Sequence, residues 1–179
     1  MSTGSDLWYY NTGTSLPKIP NYKKYGLTSI AKKGDILYDA NGGFGITGHI
    51  AIVEGIFYDE SKKKSYIRVI EAIDKGVVRS VLDADRIDDR AGTIYRVSGA
   101  SSSQKTAAVD FCISQLGKKY ALDFQKDTSA NEKDWYCSEL VWAAYKRQCI
   151  DIEDTGLNEP GITPRDIIRS NKTQKISFK

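Results

Sequence analysis

Two residues of this chain could form a nucleophile and its base. The single histidine, His49, lies in Gly48-His49-Ile50-Ala51-Ile52-Val53, and Cys137 lies in Trp135-Tyr136-Cys137-Ser138-Glu139-Leu140-Val141-Trp142. A thiol needs a base to become a good nucleophile near neutral pH, and one imidazole is present to serve. Either the two meet in the fold, or the chain has no thiol–imidazole chemistry. Cys137 opens a run with helical spacing, where free backbone N–H groups and the helix dipole favour a thiolate. Cys112 and Cys149 fall at mid- or late-helix positions and read as small apolar core residues.

The base must in turn be oriented. His49 opens an apolar strand and by alternation shares a face with Ala51, Val53 and Phe57. On the next strand Glu71 shares a face with Ile67, Val69 and Ile73, where a carboxylate is costly unless it is hydrogen-bonded or paired. The hairpin between the strands brings Glu71 to the same end as His49, where it can accept the imidazole N–H and stabilise the imidazolium. Asp74 competes for that place, because the register of the turn is open by a few residues.

The elements that must hold these groups follow from period and punctuation. Gly34 to Tyr38 reads as a short strand, followed by the loop Asn41-Gly42-Gly43-Phe44-Gly45, a flexible rim just before His49 that matches no phosphate-binding pattern. His49 to Tyr58 and Ser65 to Ile73 are β-branched and aromatic runs around Asp59-Glu60-Ser61-Lys62-Lys63-Lys64, a solvated hairpin tip. Gly76 to Leu82 and Thr93 to Val97 add strands, and Ile176 to Phe178 a closing one. The stretch Asp83 to Asp89 lacks the glycine and terminal glutamate of a calcium loop and reads as a surface turn or short helix. The period then turns helical: Ser101-Ser102-Ser103 can cap a helix that stops near Gly117, a polar loop runs to Asp134, and a second helix begins near Cys137. Thr163-Pro164 is a helix start, with Thr as N-cap and Pro at the first helical position. Strands first and helices after predicts an α+β fold with an antiparallel sheet.

Composition narrows the function classes. The 179 residues suit one well-buried domain, and 40% hydrophobic with 27% charged residues is ordinary for a globular protein. A formal charge of +3 is too small to argue nucleic-acid binding. No apolar run approaches the roughly 20 residues that span a bilayer. Three cysteines without a C-x-x-C pair make no complete disulfide framework, and with one histidine they make no zinc site. The first residues, Met1 to Asp6, lack the basic and apolar regions of a secretory signal, so the chain is read as intracellular, or as an envelope or extracellular protein whose signal has been removed. Residues 1–26, with Trp8, Tyr9, Tyr10, Tyr22 and Tyr25, read as an irregular segment packed on a domain spanning 27–179.

The order G-D-I-L, G-H-I-A-I-V-E-G, V-I-E-A, L-G-K-K-Y and W-Y-C-S-E-L-V-W resembles the circularly permuted NlpC-type cysteine peptidases, within the papain-like superfamily most closely the YiiX/YebB-like branch. Ordinary members place the cysteine before the histidine; permuted ones place the histidine strand first, as here. The likeness covers residues 34–145. It implies a permuted papain-like α+β fold, with Cys137 as nucleophile at a helix N-terminus, His49 as base and Glu71 as the residue orienting it. Tyr120 matches the tyrosine of the family's G-x-x-Y segment, whose hydroxyl lies near the reacting carbonyl, and the Cys137 N–H would help hold the oxyanion. The activity implied is cofactor-free hydrolysis of amide bonds through a covalent acyl-enzyme, in peptides of the bacterial cell wall (murein).

The chain departs from the family in two respects. Ordinary members have D-C-S-G-L where this chain has Y-C-S-E-L; Glu139 reads as a solvated acid at the helix start, or as a contributor to substrate choice. Neither an export signal nor a wall-binding module is visible. Two alternatives keep the same residues: a thiol acyltransferase resembling the lecithin–retinol group, which typically has Asn-Cys-Glu-His around its nucleophile, and a catalytically silent peptide-binding module.

Overall fold

Why the central strands form is plain in their composition: β-branched and aromatic residues dominate from His49 to Ile73, and both faces of those strands are apolar enough to be covered. The structure, a computed structural model, describes residues 16, 18–43, 47–89, 91–156 and 160–178. The expectations for Trp8, Tyr9, Tyr10, Phe44 and Gly45 lie outside the described residues. Strands β1 (Ile36–Asp39), β2 (His49–Asp59), β3 (Lys64–Ile73), β4 (Gly76–Leu82), β5 (Gly92–Val97) and β8 (Thr173–Ile176) form one sheet in the order β4-β3-β2-β1-β5-β8. Every neighbouring pair in it is antiparallel. Two-residue strands β6 (Lys119–Tyr120) and β7 (Asp134–Trp135) pair in parallel apart from it. The helices are α1 (Leu27–Ile30), α2 (Ala84–Asp89), α3 (Ser102–Ser114), α4 (Cys137–Lys146) and α5 (Pro164–Arg169). The α+β architecture with an antiparallel sheet is therefore as read from the chain.

The sheet is covered on both sides. Ile36, Ile50, Ile52, Ile70 and Ala72 pack under α3 and α4, against Cys112, Leu140 and Val141. Leu37, Ala51, Val53, Ile67 and Val69 face the other way, against Leu27 of α1 and Ile87 of α2. Each Leu, Ile or Val among them, withdrawn fully from water, contributes about 1.5–3 kcal/mol. Tyr22 and Tyr25 pack against this second side, while Leu16 forms a separate buried cluster with Tyr66 and Val81. Leu16 is buried and its N–H donates to Asp59 Oδ2 (2.6 Å), while the Tyr22 hydroxyl accepts from the Ile67 N–H (2.8 Å).

The helix starts follow the capping rules. Ser101 Oγ accepts from the Gln104 N–H (3.2 Å) and the Ser101 N–H donates to Gln104 Oε1 (2.9 Å), a reciprocal capping box. Thr163 and Asp166 make the same arrangement at α5, with Pro164 at its first position.

Three details differ from the sequence reading. The register of β2 against β3 shifts between Val53 and Gly55, so Phe57 pairs with Tyr66 and leaves the face that His49, Ala51 and Val53 share. A bulge of this kind inserts one residue and flips the alternation beyond it. The closing strand is Thr173–Ile176, earlier than expected, because Thr173 pairs with Val97 and Phe178 turns instead onto Tyr25. The acidic stretch holds a short helix, one of its two readings, α2 (Ala84–Asp89), but not purely at the surface, since its inner side buries Ala84, Arg86 and Ile87.

Candidate active site

His49 is the first residue of β2 and pairs with Asp39 at the end of β1. The register Ile52↔Ile70 sets Glu71 on the same face, diagonal to His49. His49 Nε2 lies 2.6 Å from Glu71 Oε2, leaving Nδ1 as the nitrogen available to a nucleophile. Asp74, the competing carboxylate, is exposed on the cleft wall. Glu71 is fully buried, and two more donors satisfy it: Ser80 Oγ on Oε1 (2.5 Å) and Arg86 Nη2 on Oε2 (2.6 Å). Arg86 comes from α2 and also lies 3.6 Å from Asp39 Oδ2. Four elements thus bring Asp39, His49, Glu71 and Arg86 to one end of the sheet. Removing one partner from such a buried set strands the other charge, at a cost of about 3–5 kcal/mol.

Cys137 arrives from the opposite face, as the first residue of α4. The His49 imidazole and the Ile50 N–H act on its thiol electrostatically, and the Ser138 hydroxyl lies 4.0 Å from it. Burial by itself would push the thiol up, but the imidazole and the Ile50 N–H outweigh it and bring the pKa down. Burial would likewise lower His49; the Cys137 thiolate and the Glu71 carboxylate win and raise it to about 10. Burial would raise Glu71, but the Arg86 guanidinium and His49 hold it well below the usual carboxylate range. The directions agree on a thiolate–imidazolium pair backed by an ionised carboxylate. Cys112, by contrast, sits in the apolar core as read, where burial pushes its thiol up, whereas Cys149 is not a core residue: it lies past the end of α4 and is exposed.

Glycine is required beside His49. A Cβ on Gly42 would stand 2.2 Å from His49 Cβ and 3.0 Å from its backbone nitrogen. One on Gly48, whose φ is +75°, would stand 2.6 Å from the Tyr38 ring.

Tyr120 is placed by pairing rather than by loop chance. It is matched to Trp135, two residues before the cysteine, and its half-buried side chain lines the cleft. Burial, with the nearby Cys137 thiolate and Asp74, pushes its phenol up to about 12, so it stays a hydrogen-bond donor. The cleft has a volume of about 590 Å³ and holds His49, Cys137 and Tyr120 between walls that include Ile73, Leu122, Phe124 and Pro164.

Glu139 is not the solvated acid expected. It is buried in the first turn of α4 and accepts the Asp127 N–H (2.9 Å), tying the 121–134 loop to the helix that begins at Cys137. Burial pushes its carboxyl up to about 7. A sequence reading misses this because the partner is a backbone group twelve positions back. Arg86 is missed for a related reason: one basic residue in an acidic stretch reads as solvent-facing.

The family model described as permuted papain-like amidase enzyme, YaeF/YiiX, C92 family, matches residues 30–177. The uncharacterized protein YycO of Bacillus subtilis (strain 168) is 32% identical over 112 residues, 61% of this chain and 44% of the relative. The match therefore spans less than half the length of that relative. The crystal structure of the metalloprotein yiiX from Escherichia coli O157:H7 aligns with a TM-score of 0.56 at 18% identity, covering 83% of this chain and 97% of that one, which shows a shared fold. Among the described residues here, no three or more His, Cys, Asp or Glu side chains are grouped to hold a metal ion. With a match running from the strand before His49 to the end of the sheet, the chain belongs to the permuted papain-like amidase family, YaeF/YiiX, C92.

Proposed function

We propose that the protein is a thiol amidase or peptidase in which Cys137 is the nucleophile, His49 the base and acid, Glu71 the residue orienting His49, and Tyr120 a substrate-binding residue. The observation that carries this reading is the convergence of Cys137, His49 and Glu71 on one cleft, with His49 Nε2 held 2.6 Å from Glu71 Oε2 and the Cys137 thiol beside the imidazole that lowers its pKa. The thiolate attacks the amide carbonyl carbon, and the oxyanion is held by the Cys137 N–H at the start of α4 and by the Tyr120 hydroxyl. His49 passes its proton from the imidazolium to the departing amine, leaving a thioester on Cys137. Neutral His49 then takes a proton from water as that water attacks the thioester, and the acid product leaves with the thiol restored. Glu71 keeps the imidazole in the required orientation and stabilises its charged form.

The substrate class proposed is peptide amides, with murein stem peptides as the first candidates. Incubation with defined muropeptides, read by mass spectrometry, tests it: new amine and carboxyl ends that Cys137→Ser abolishes are expected. No cleavage by a protein whose Cys137 is otherwise reactive would remove murein from the proposal. The apolar side chains of Leu122 and Phe124, each about half exposed at the cleft mouth, favour one second reading, transfer or hydrolysis of an apolar acyl group in the manner of the lecithin–retinol-like enzymes. Turnover of short-chain lipid esters in preference to peptides would select it.

A further inference from the structure

The Glu71 carboxylate carries more than its bond to His49. Oε2 receives both His49 Nε2 and Arg86 Nη2, each at 2.6 Å, and Oε1 receives Ser80 Oγ at 2.5 Å. Arg86 is itself 4% exposed. We propose that Arg86 is a positioning residue for the Cys137–His49 pair: its guanidinium, delivered by α2, fixes which Glu71 oxygen faces the imidazole and keeps that carboxyl charged. The inference rests on the catalytic reading above.

A guanidinium suits this place because it cannot lose its proton and its planar fork aims several N–H groups at once. The backbone holds it there: the Arg86 N–H donates to Asp83 Oδ1 (2.8 Å), and the Ala84 N–H to the Asn21 carbonyl (2.8 Å). The titratable groups facing the cluster come from every side. They are Asp39 from β1, His49 from β2, Glu71 from β3, Asp83 at the head of α2, Cys137 from α4, and Tyr120 and Asp74 across the cleft. With Arg86 present, a permanent cation balances the buried carboxylates of Asp39 and Glu71. Without it, Glu71 takes a proton more readily or turns its oxygen away, and the imidazolium loses its support. The Cys137 thiolate loses its partner in turn, so the thiol must ionise at higher pH.

Iodoacetamide reports this without a known substrate. The rate of Cys137 alkylation is followed against pH by peptide mass spectrometry, with circular dichroism checking the fold. Arg86→Met is expected to raise the midpoint of the rise in rate by about one pH unit or more, and Arg86→Lys to restore most of it. In a Glu71→Gln background the same Arg86→Met change should move the midpoint by less than about 0.3 unit, because its effect runs through the carboxylate. A residue that only supported the fold would lower stability and leave the midpoint where it was. An unmoved midpoint in folded Arg86→Met, or equal shifts with and without Glu71, would overturn the inference. Should Arg86→Met fail to fold, Arg86→Met/Glu71→Gln, which removes one charge of each sign, is compared with Glu71→Gln alone. Equal midpoints support the inference and a shift overturns it. If wild-type Cys137 reacts no faster than Cys149 near neutral pH, the catalytic reading itself fails and this one with it. A reactive Cys137 indifferent to Arg86 fails this inference alone.

Discussion

The two walls of the cleft are built on opposite terms. One is the sheet end carrying His49, Glu71, Ser80 and Arg86, where buried polar groups hold one another through short hydrogen bonds. The other is the 121–134 loop, whose Leu122 and Phe124 are 52% and 49% exposed. Yet the loop is firmly tied. Glu139 accepts from the Asp127 N–H, Lys118 Nζ donates to the Ala130 carbonyl (2.7 Å), and the Tyr136 hydroxyl donates to the Gln125 carbonyl. Phe124 has a φ of +59°, a left-handed conformation costing a bulky residue on the order of 1 kcal/mol or more. Gly161 packs so closely that a Cβ there would lie 3.0 Å from Phe124 Cα. Polar pairing at one wall fixes geometry for chemistry; backbone ties at the other hold apolar side chains out toward whatever enters. The two walls should therefore respond to mutation in different kinetic constants.

The largest effect belongs to Cys137, the proposed nucleophile. Cys137→Ser should reduce kcat/KM by about a thousand-fold or more with little change in melting temperature, because the oxygen replaces a sulfur of similar position. Next comes Gly42→Ala, which forces the His49 backbone to shift. A displacement near 1 Å in the base costs about a hundred-fold in rate, so kcat should fall on that scale while KM changes little. A KM effect alone would show that His49 had not moved.

Glu71→Gln should come third, lowering kcat by about ten- to a hundred-fold. A larger kcat loss in Asp74→Asn than in Glu71→Gln would contradict the assignment of Glu71. Stability gives a second reading of the same residue. A carboxyl held below its ordinary pKa stabilises the fold fully above about pH 4.5 and loses that contribution as pH falls toward its folded value. The gap in melting temperature between wild type and Glu71→Gln should thus be widest near neutrality and shrink below about pH 4. A constant gap would mean that the charge of Glu71 is not what it contributes. The smallest change expected is at the loop. Phe124→Gly should raise KM several-fold, with kcat nearly constant and the melting temperature equal or higher, since glycine adopts that φ without strain.

How much of this was legible in the chain divides along the same line as the walls. Strands β2, β3 and β4 and the starts of α3 and α5 are written locally, in β-branched runs and in Ser101, Thr163 and Pro164. The approach of Glu71 to His49 is only half written there: carried straight from the hairpin pairing Asp59↔Lys64, alternation would set Asp74 opposite His49, and a one-residue shift of register brings Glu71 to His49's face instead. The bulge at Val53/Gly55 is not written locally, because a shift of register depends on the partner strand. Nor is the pairing of β6 with β7, two residues long and too short for any period, although it sets Tyr120 beside the cysteine helix. Arg86 and Glu139 were hidden because their burial depends on segments far off in sequence or on backbone atoms, and charge type alone points such residues to solvent.

The central claim is that His49 activates Cys137, and the three cysteines of the chain make one measurement decisive. Wild-type protein and His49→Ala, both folded, are treated with iodoacetamide at pH 6 to 7, and each cysteine is followed by peptide mass spectrometry. The account predicts that Cys137, though half-buried, alkylates faster than exposed Cys149 and far faster than buried Cys112, and that His49→Ala slows Cys137 alone. Alkylation of Cys137 no faster than Cys149, or unchanged by the loss of His49, would contradict it.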